Sequence, residues 1–285
     1  MEFWIKIDTL LRAPMEAPKP FGIFHILMLA LVLFGSLFVA LSHKKGHPED
    51  VRRFVFWAGI GVILFEIYKQ YLYNFSIVDG KLTFHYSWDT FPFQFCYLPL
   101  YLDVLFAVTK KGRFHNALAV FLATFFVVAG TAVMLFPSSV FGTYLGMNLQ
   151  TMLCHGIMIV NGVYLLSSGY VKLEHKSILK ALPLFAACVF LATVFNELAF
   201  YTGVTENNIF NMFYISRHFG SDYLPIAPLL STYIPPATIF FIYLFGFPLL
   251  AYFVLLIAMG IKGAVGLFKE KLDESGNGED LKEAR

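Results

Sequence analysis

One cysteine and one histidine have the side chains that acyl transfer requires. Cys96 and His155 lie in separate apolar stretches of this 285-residue chain. A thiol in low-dielectric surroundings stays protonated and inert unless a base takes its proton. An imidazole can be that base, so we interpret the two residues as a nucleophile and a general base. Together they would form a thioester with an acyl group and pass it to a hydroxyl or to water, provided that the fold brings them together.

Further polar side chains also fall inside apolar stretches, where a charged group costs free energy unless it has a partner or a function. We predict that they bind substrate around the Cys/His pair. Gln94, Lys69 or backbone amides are candidates to stabilise an oxyanion. Glu66, Asn196 or Gln70 are candidates to orient the imidazole. The full set is His25, Glu66, Lys69, Gln70, Gln94, Asn148, Asn196 and Arg217.

Each of these residues also has a structural interpretation. Glu66 and Lys69 are three residues apart, the spacing of an ion pair on one helix face. The amides of Gln70, Gln94 and Asn196 are equally suited to hydrogen bonds between membrane helices. Structural bonds, however, should scatter along the membrane normal, so a common depth would favour a shared site.

The elements that must position these residues are membrane-spanning helices. The composition is 58% hydrophobic and 14% charged, which is typical of an integral membrane protein. A helix crosses the hydrocarbon with about 20 apolar residues. Seven stretches fit, so we predict an all-α, polytopic seven-helix bundle with spans near 21–42, 54–73, 92–109, 115–136, 148–168, 178–201 and 237–261.

The two ends of the chain differ from this transmembrane domain, which we place at 21–262. In residues 1–20, apolar side chains recur at helical spacing with charges between them, and prolines follow. This pattern predicts an amphipathic helix on the membrane surface. Residues 263–285 form a predicted charged tail.

Basic residues concentrate in alternate loops, which indicates the orientation. The rule that such loops face the cytoplasm predicts a multi-pass cell-membrane protein with its N-terminus outside and its C-terminus inside. The polar residues of five helices then share one level in the outer half of the bilayer. The basic loop residues before span 7 are Lys44, Lys45, Arg52, Arg53, Lys110, Lys111, Arg113, Lys172, Lys176 and Lys180.

The net charge and the cysteine positions limit the classes of molecule that the protein is expected to bind. A net charge of +2 does not imply a nucleic-acid partner. Cys96, Cys154 and Cys188 all lie in apolar runs, which argues against a disulfide framework or a CxxC metal site. The predicted partners are membrane lipids, with an acyl lipid as candidate substrate; no cofactor is indicated, and the oligomeric state stays open.

Two alternatives to Cys/His chemistry remain. A metal-dependent hydrolase would use His25 and His155 with Glu66 or Asp103 as ligands, although the chain has no HExxH motif. A carrier or receptor for a lipid or small molecule would use the same polar level without catalysis. Gly246 and a nearby proline could break span 7 for that purpose, but inverted repeats are missing.

Three short segments around the polar residues resemble a known family. Phe91–Cys96 (FPFQFC) resembles the Leu-Pro-Leu-x-Leu-Cys element of the YwaF-like bacterial integral membrane proteins, a family that includes eukaryotic transmembrane protein 164. Cys154-His155-Gly156 is similar to its Ser-His-Gly element. Asn196 followed by Asn211–Arg217 resembles its Asn…Asn-Tyr-x-Tyr-x-Ser-Arg/Lys pattern, and the similar layout covers about residues 20–260.

This resemblance implies a multi-span fold and, from the eukaryotic member, a phospholipid acyltransferase that depends on a cysteine and a histidine. Those roles would fall on Cys96 and His155. A more distant resemblance, to membrane hydrolases of fatty-acid esters of hydroxy fatty acids, implies hydrolysis instead. The family's Gly-Pro-Trp-Pro run is replaced here by Ala227-Pro228 and Pro235-Pro236, so the entrance to the site is expected to differ.

Overall fold

A computed structural model describes the backbone of residues 2–42, 47–205, 210–219 and 236–283. Within these ranges the side chains are described from residue 4 to residue 268, apart from 236 and 237. Lys44 and Lys45, which support the predicted orientation, lie outside the described residues. So do Ala227-Pro228 and Pro235, where the chain departs from the family pattern.

The described chain is predominantly helical, which confirms the all-α class. One two-stranded antiparallel hairpin, β1 (Phe75–Val78) and β2 (Lys81–Phe84), interrupts the helices. The helices are α1 (Glu2–Leu11), α2 (Ile23–Ser42), α3 (Pro48–Asn74), α4 (Pro99–Val108), α5 (Arg113–Leu135), α6 (Leu145–Ser167), α7 (Ile178–Thr202) and α8 (Pro236–Glu283).

Five helical segments in the described ranges are long and apolar enough to cross a membrane. They are Ile23–Ser42, Arg113–Leu135, Leu145–Ser167, His175–Thr202 and Thr238–Phe268, and each coincides with a predicted span. The predicted count of seven is not reached on this criterion. α3 is long enough, at 27 residues, but it carries Glu66 and Lys69 near its C-terminal end.

The predicted span at 92–109 is broken rather than continuous. A 3-10 turn at Phe95–Tyr97 precedes α4, whose ten residues rise only about 15 Å. Pro99 explains the break, because it occupies the first turn of α4, where its missing N–H costs nothing. Inside one long helix the same proline would remove a hydrogen bond and clash with the preceding turn.

α6 lies against three neighbouring helices, α2, α3 and α5, and glycines allow close approach. A Cβ at Gly156 would lie 2.4 Å from Val32 of α2, and one at Gly162 would lie 2.2 Å from Val127 of α5. Small residues at such crossings allow helix backbones to pack tightly in a membrane. The helix that carries His155 is therefore fixed on several sides.

The N-terminal arm forms the predicted helix and is bonded to the end of α3. Arg12 donates hydrogen bonds to the carbonyl oxygens of Leu72 (3.0 Å) and Phe75 (2.5 Å). The Tyr68 hydroxyl donates to the Leu11 carbonyl at 2.7 Å. The position of α1 on the membrane surface stays a prediction, but its contact with the bundle is defined.

Candidate functional site

The pocket that carries the candidate chemistry lies where the 3-10 turn at Phe95–Tyr97 meets α5, α6, α8 and the 210–219 segment. Its volume is about 200 Å³, and both Cys96 and His155 line it. Two residues from separate segments thus reach the same pocket. The other polar or titratable lining residues are Gln94, Tyr97, Ser139, Gln150, Thr151, Cys154, Tyr214 and Tyr243.

A hydrogen bond within α6 fixes the tautomer of the His155 imidazole. Its Nδ1 lies 2.7 Å from the carbonyl oxygen of Thr151, one turn earlier in α6. Because a carbonyl only accepts hydrogen bonds, Nδ1 carries the proton. Within the described part of the chain, the buried Nε2 has no hydrogen-bond partner. The ring therefore has a fixed orientation and one nitrogen available to accept a proton.

Cys96 reaches the pocket because the break before α4 turns its side chain into it. The Tyr97 amide donates to the Gln94 carbonyl at 2.9 Å, which closes the tight turn around Cys96. Cys96 is half-buried, and the ring of the next residue, Tyr97, lies under the Lys69 ammonium. Cys96 and His155 line the same pocket, but no hydrogen bond joins them among the described residues.

The same pocket contains a second thiol that sequence analysis treated as unremarkable. Cys154 is buried, lines the pocket and accepts a hydrogen bond from Gln150 Nε2 at 3.7 Å. The spacing carried a usable signal, because residues 150, 151, 154 and 155 share one helical face. Any test of Cys96 must therefore distinguish it from Cys154.

Tyr243 of α8 is the second buried group of the pocket without a hydrogen-bond partner in the described residues. Its hydroxyl is buried, and its ring lines the pocket. A tyrosine among aromatic residues of an apolar span gave no signal that would separate it from a packing residue. The structure thus adds a free hydroxyl donor to the thiol and the imidazole.

Gln94 and Asn196 hold one wall of the pocket. Gln94 donates to the Asn211 carbonyl and accepts from the Phe213 amide, both at 2.8 Å. Asn196 donates to the Met212 carbonyl at 3.0 Å and accepts from the Met212 amide at 2.6 Å. Both side-chain amides are thus occupied by the backbone of residues 211–213.

This wall has an unusual backbone. Phe213 and Tyr214 have φ angles of 58° and 57°, in the left-handed region that bulky residues rarely adopt. Such conformations persist where surrounding bonds determine them. The hydrogen bonds from Gln94 and Asn196 hold the backbone of residues 211–213 in this conformation. Phe213 and Tyr214 consequently lie in the pocket lining.

Glu66 and Lys69, both buried, form a polar cluster beside the pocket together with the half-buried Gln70. Lys69 Nζ lies 2.9 Å from Glu66 Oε1 and 3.6 Å from the centroid of the Tyr97 ring. Gln70 Nε2 donates to Glu66 Oε1 and to the Thr90 carbonyl, each at 2.7 Å. The helix-face ion pair suggested by the spacing is present, and Tyr97 links it to the pocket.

His25 and Asn148 do not line the pocket, and each is bonded elsewhere. His25 Nδ1 accepts from the Phe21 amide, and its Nε2 donates to the Met134 carbonyl, both at 2.7 Å. Asn148 accepts from the Gly142 amide at 2.9 Å and donates to the Gly142 carbonyl at 2.8 Å. His25 thus holds the start of α2 against the end of α5, and Asn148 holds the start of α6 against the preceding connection.

Arg217 lies at an exposed position beyond α7 and does not line the pocket. Its guanidinium makes two hydrogen bonds to the Glu197 carboxylate, at 3.0 and 2.8 Å, and one to the Tyr201 hydroxyl at 3.2 Å. The hydrogen bonds and charge of Glu197 hold the pKa of Arg217 above its ordinary value.

The ligand set of the metal-hydrolase alternative is not brought together. Among the described residues, no three His, Cys, Asp or Glu side chains form a group that could hold a metal ion. His25 uses both ring nitrogens in hydrogen bonds, and Asp103 accepts one from Asn161 at 2.9 Å.

These features define a polytopic helical membrane protein with a thiol and an imidazole in one internal pocket. The chain belongs to the TMEM164 family, whose model matches residues 20–260. The family relationship indicated by the three short motifs is thereby confirmed. No curated protein and no solved structure matches the chain.

Proposed function

We propose that this protein transfers acyl groups of membrane lipids through a thioester on Cys96, with His155 as general base. One observation supports this proposal above all. Cys96 and His155 line the same pocket, and the bond from His155 to Thr151 leaves Nε2 as the unpaired nitrogen. A nucleophile beside an oriented base is the arrangement that covalent acyl transfer uses.

In the first step, Nε2 of His155 takes the thiol proton while Sγ of Cys96 attacks the carbonyl carbon of a lipid ester. The carbon–oxygen ester bond breaks, and the leaving alcohol takes the proton back from the imidazole. The acyl group remains on Cys96 as a thioester. Lys69, whose ammonium lies 3.6 Å from the ring centroid of the adjacent Tyr97, is the cation assigned to stabilise negative charge on sulfur during the attack.

In the second step, an acceptor hydroxyl gives its proton to Nε2, and its oxygen attacks the thioester carbonyl. The carbon–sulfur bond breaks and the proton returns to Sγ. A lipid hydroxyl as acceptor makes the protein an acyltransferase, and water as acceptor makes it an acyl-lipid hydrolase.

The oxyanion formed in both steps needs a hydrogen-bond donor, and Tyr243 is the best candidate. Gln94, which the sequence suggested for this role, has its amide bonded to the 211–213 backbone. The Tyr243 hydroxyl is buried in the pocket lining with no described partner, so its donor is available. A free donor in dry surroundings is worth far more to an oxyanion than one in water.

The remaining predicted substrate residues support the site without providing a reacting group. Gln94, which also lines the pocket, and Asn196 position its wall, and the Glu66, Lys69 and Gln70 cluster adjusts its electrostatics. His25 and Asn148 fix helix ends. Arg217 is assigned to the headgroup of the substrate, because a guanidinium at the exposed end of α7 suits a phosphate.

The proposed topology keeps seven crossings of a cell membrane, with the N-terminus outside and the C-terminus in the cytoplasm. α3 supports it, since 27 helical residues rise about 40 Å. The broken 92–109 segment is compatible, because irregular backbone is tolerated at membrane depth when protein buries it. Gln94, Phe95 and Leu98 of this segment are all buried.

The test is acyl redistribution in vesicles that contain the purified protein and two phospholipids with different, isotopically marked acyl chains. Mass spectrometry should show mixed-chain lipids or free marked acid with wild type. Cys96→Ala should abolish both products, and His155→Ala should slow them by about 10²–10⁴-fold. Cys188→Ala, which removes a buried thiol outside the pocket lining, serves as the control, and Cys154→Ala, which removes the other thiol of the pocket, should leave both products in place. Unchanged lipids that only cross the bilayer would support the carrier alternative and overturn the proposal.

A further inference from the structure

A second concave site lies outside the pocket, between the C-terminal half of α3, the hairpin and the start of α4. This groove has a volume of about 500 Å³, within the range of small-molecule sites. Its apolar walls come from Ile63, Ile67, Phe75, Phe84 and Leu100. Phe84 and Ile67 are exposed, so the groove opens toward the surroundings of the helices.

Glu66 is the unusual member of this apolar lining. The residue is 6% exposed, and its Oε2 is buried with no described hydrogen-bond partner. The other carboxylate oxygen, Oε1, is bonded to Lys69 and Gln70. A buried acceptor without a donor costs free energy, which a bound molecule would recover by donating a hydrogen bond.

Three residues of the groove, Gln70, Asn74 and Tyr71, use their donors within the protein. Gln70 donates to Glu66 and to the Thr90 carbonyl, and Asn74 donates to the carbonyl and side-chain oxygens of Gln70. The Tyr71 hydroxyl donates to Asp8 at 3.0 Å. A carboxylate or phosphate would place only further acceptor oxygens against the unpaired Glu66 Oε2, so the ligand has to bring the donor hydrogen itself.

The negative charge of Glu66 is already balanced by Lys69, so the hydrogen-bond donor of the ligand should be neutral rather than cationic. Lys69 lies 2.9 Å from Glu66 and makes its remaining contacts with the Thr90 carbonyl and the Tyr97 ring. A second cation would leave an uncompensated positive charge in a low-dielectric site, which is costly. A hydroxyl supplies the hydrogen bond without adding charge.

We infer that the groove binds a neutral single-chain lipid with a free hydroxyl, of the monoacylglycerol class. Its chain lies along the apolar walls, and its hydroxyl passes between the lining side chains to donate to Glu66 Oε2. This site is separate from the Cys96 and His155 chemistry and requires no reaction at the thiol.

The test uses a monoacylglycerol with a photoreactive group in its chain, added to the purified full-length protein in lipid nanodiscs. Mass spectrometry should locate the label on residues of 63–86 or at Leu100. Unlabelled monoacylglycerol should compete about tenfold better than its dimethyl ether, which lacks the donors. Leu100→Trp should fill the groove and reduce labelling by a similar factor, while Leu249→Trp, on an exposed face of α8, should not.

Glu66→Gln adds a second measurement, because it keeps the shape of the side chain but replaces the free acceptor with an amide. In this variant the monoacylglycerol and its ether should compete equally. Equal competition already in wild type, or labelling insensitive to Leu100→Trp, would overturn the inference. Better competition by a fatty acid would overturn the hydroxyl assignment, since its carboxylate brings only acceptors to Glu66 Oε2. Better competition by a lysophospholipid, which carries a hydroxyl and a charged headgroup, would overturn the assignment of a neutral ligand.

Discussion

Gly130 of α5 packs directly against the backbone of His155. A Cβ added at Gly130 would lie 2.6 Å from the His155 carbonyl oxygen, closer than real Cβ atoms approach backbone. α5 and α6 would have to separate to admit a methyl group. The position of the candidate base therefore depends on a glycine in the neighbouring helix.

We expect Gly130→Ala to impair acyl transfer without removing any reacting group. A displacement of about 1 Å can cost about 10²-fold in rate, so a loss of this order is expected in the vesicle assay. Gly61→Ala is the matched control, because a Cβ at Gly61 meets nothing within 4 Å. Equal rates for the two variants would show that this close packing does not position His155.

Asn196→Ala should destabilise the protein through the wall of the pocket. It removes two hydrogen bonds to Met212 and leaves a buried amide and a buried carbonyl without partners. At about 1–3 kcal/mol for each of the two groups, a loss of about 2–6 kcal/mol in the free energy of unfolding is expected. Denaturant unfolding in bicelles measures it, with exposed Asn116→Ala as the control; similar values for both would refute the role of Asn196.

The buried ion pair should show strong coupling between its two members. Lys69→Met leaves the Glu66 charge buried and uncompensated, which should cost about 3–5 kcal/mol of stability. The double variant Lys69→Met with Glu66→Leu should be less destabilised than Lys69→Met alone, because both charges are gone.

A second ion pair provides the comparison. Lys180 and Glu174 lie 3.7 Å apart with 40% and 52% of their side chains exposed. Lys180→Met should therefore change stability by less than about 1 kcal/mol. Additive effects at residues 66 and 69 would contradict the coupling inferred from their geometry.

Much of the helical framework could be predicted because membrane hydrocarbon imposes length and apolarity together. The predicted spans at 115–136 and 178–201 differ from α5 and α7 by two residues or fewer at each end. The prediction of one continuous helix at 92–109 was wrong. Hydropathy measures only how apolar the residues are, whereas the helix is interrupted because Pro99 fits the first turn of a helix better than its interior. Proline positions needed more weight there.

The hairpin was missed although the sequence contained its turn. Asp79 and Gly80 have φ angles of 50° and 75°, as expected for an Asp-Gly hairpin turn between alternating residues. Its strands have only four residues each and lie between two predicted spans, so a search for apolar helices of membrane length does not detect them. This hairpin forms one wall of the groove beside Glu66, so the groove could not be foreseen either.

The polar residues were identified by type, but their grouping depended on three-dimensional contacts. Equal depth suggested one site, whereas only Gln94, Cys96 and His155 of the predicted set line the pocket. His25 and Asn148 lie at helix ends and bond to main-chain groups. Every residue has such groups, so the sequence does not indicate these partners. Tyr243 could not be distinguished from the many other aromatic residues before α8 was placed against the pocket.

The most direct test of the thioester is intact-protein mass spectrometry after exposure of the purified protein in nanodiscs to an activated palmitoyl ester. We predict a single palmitoyl adduct on Cys96 that hydroxylamine removes, as expected for a thioester. The adduct should be absent in Cys96→Ser, strongly slowed in His155→Ala and unchanged in Cys188→Ser. An adduct on Cys154 instead of Cys96, or one that forms equally fast without His155, would contradict a Cys96 nucleophile activated by His155.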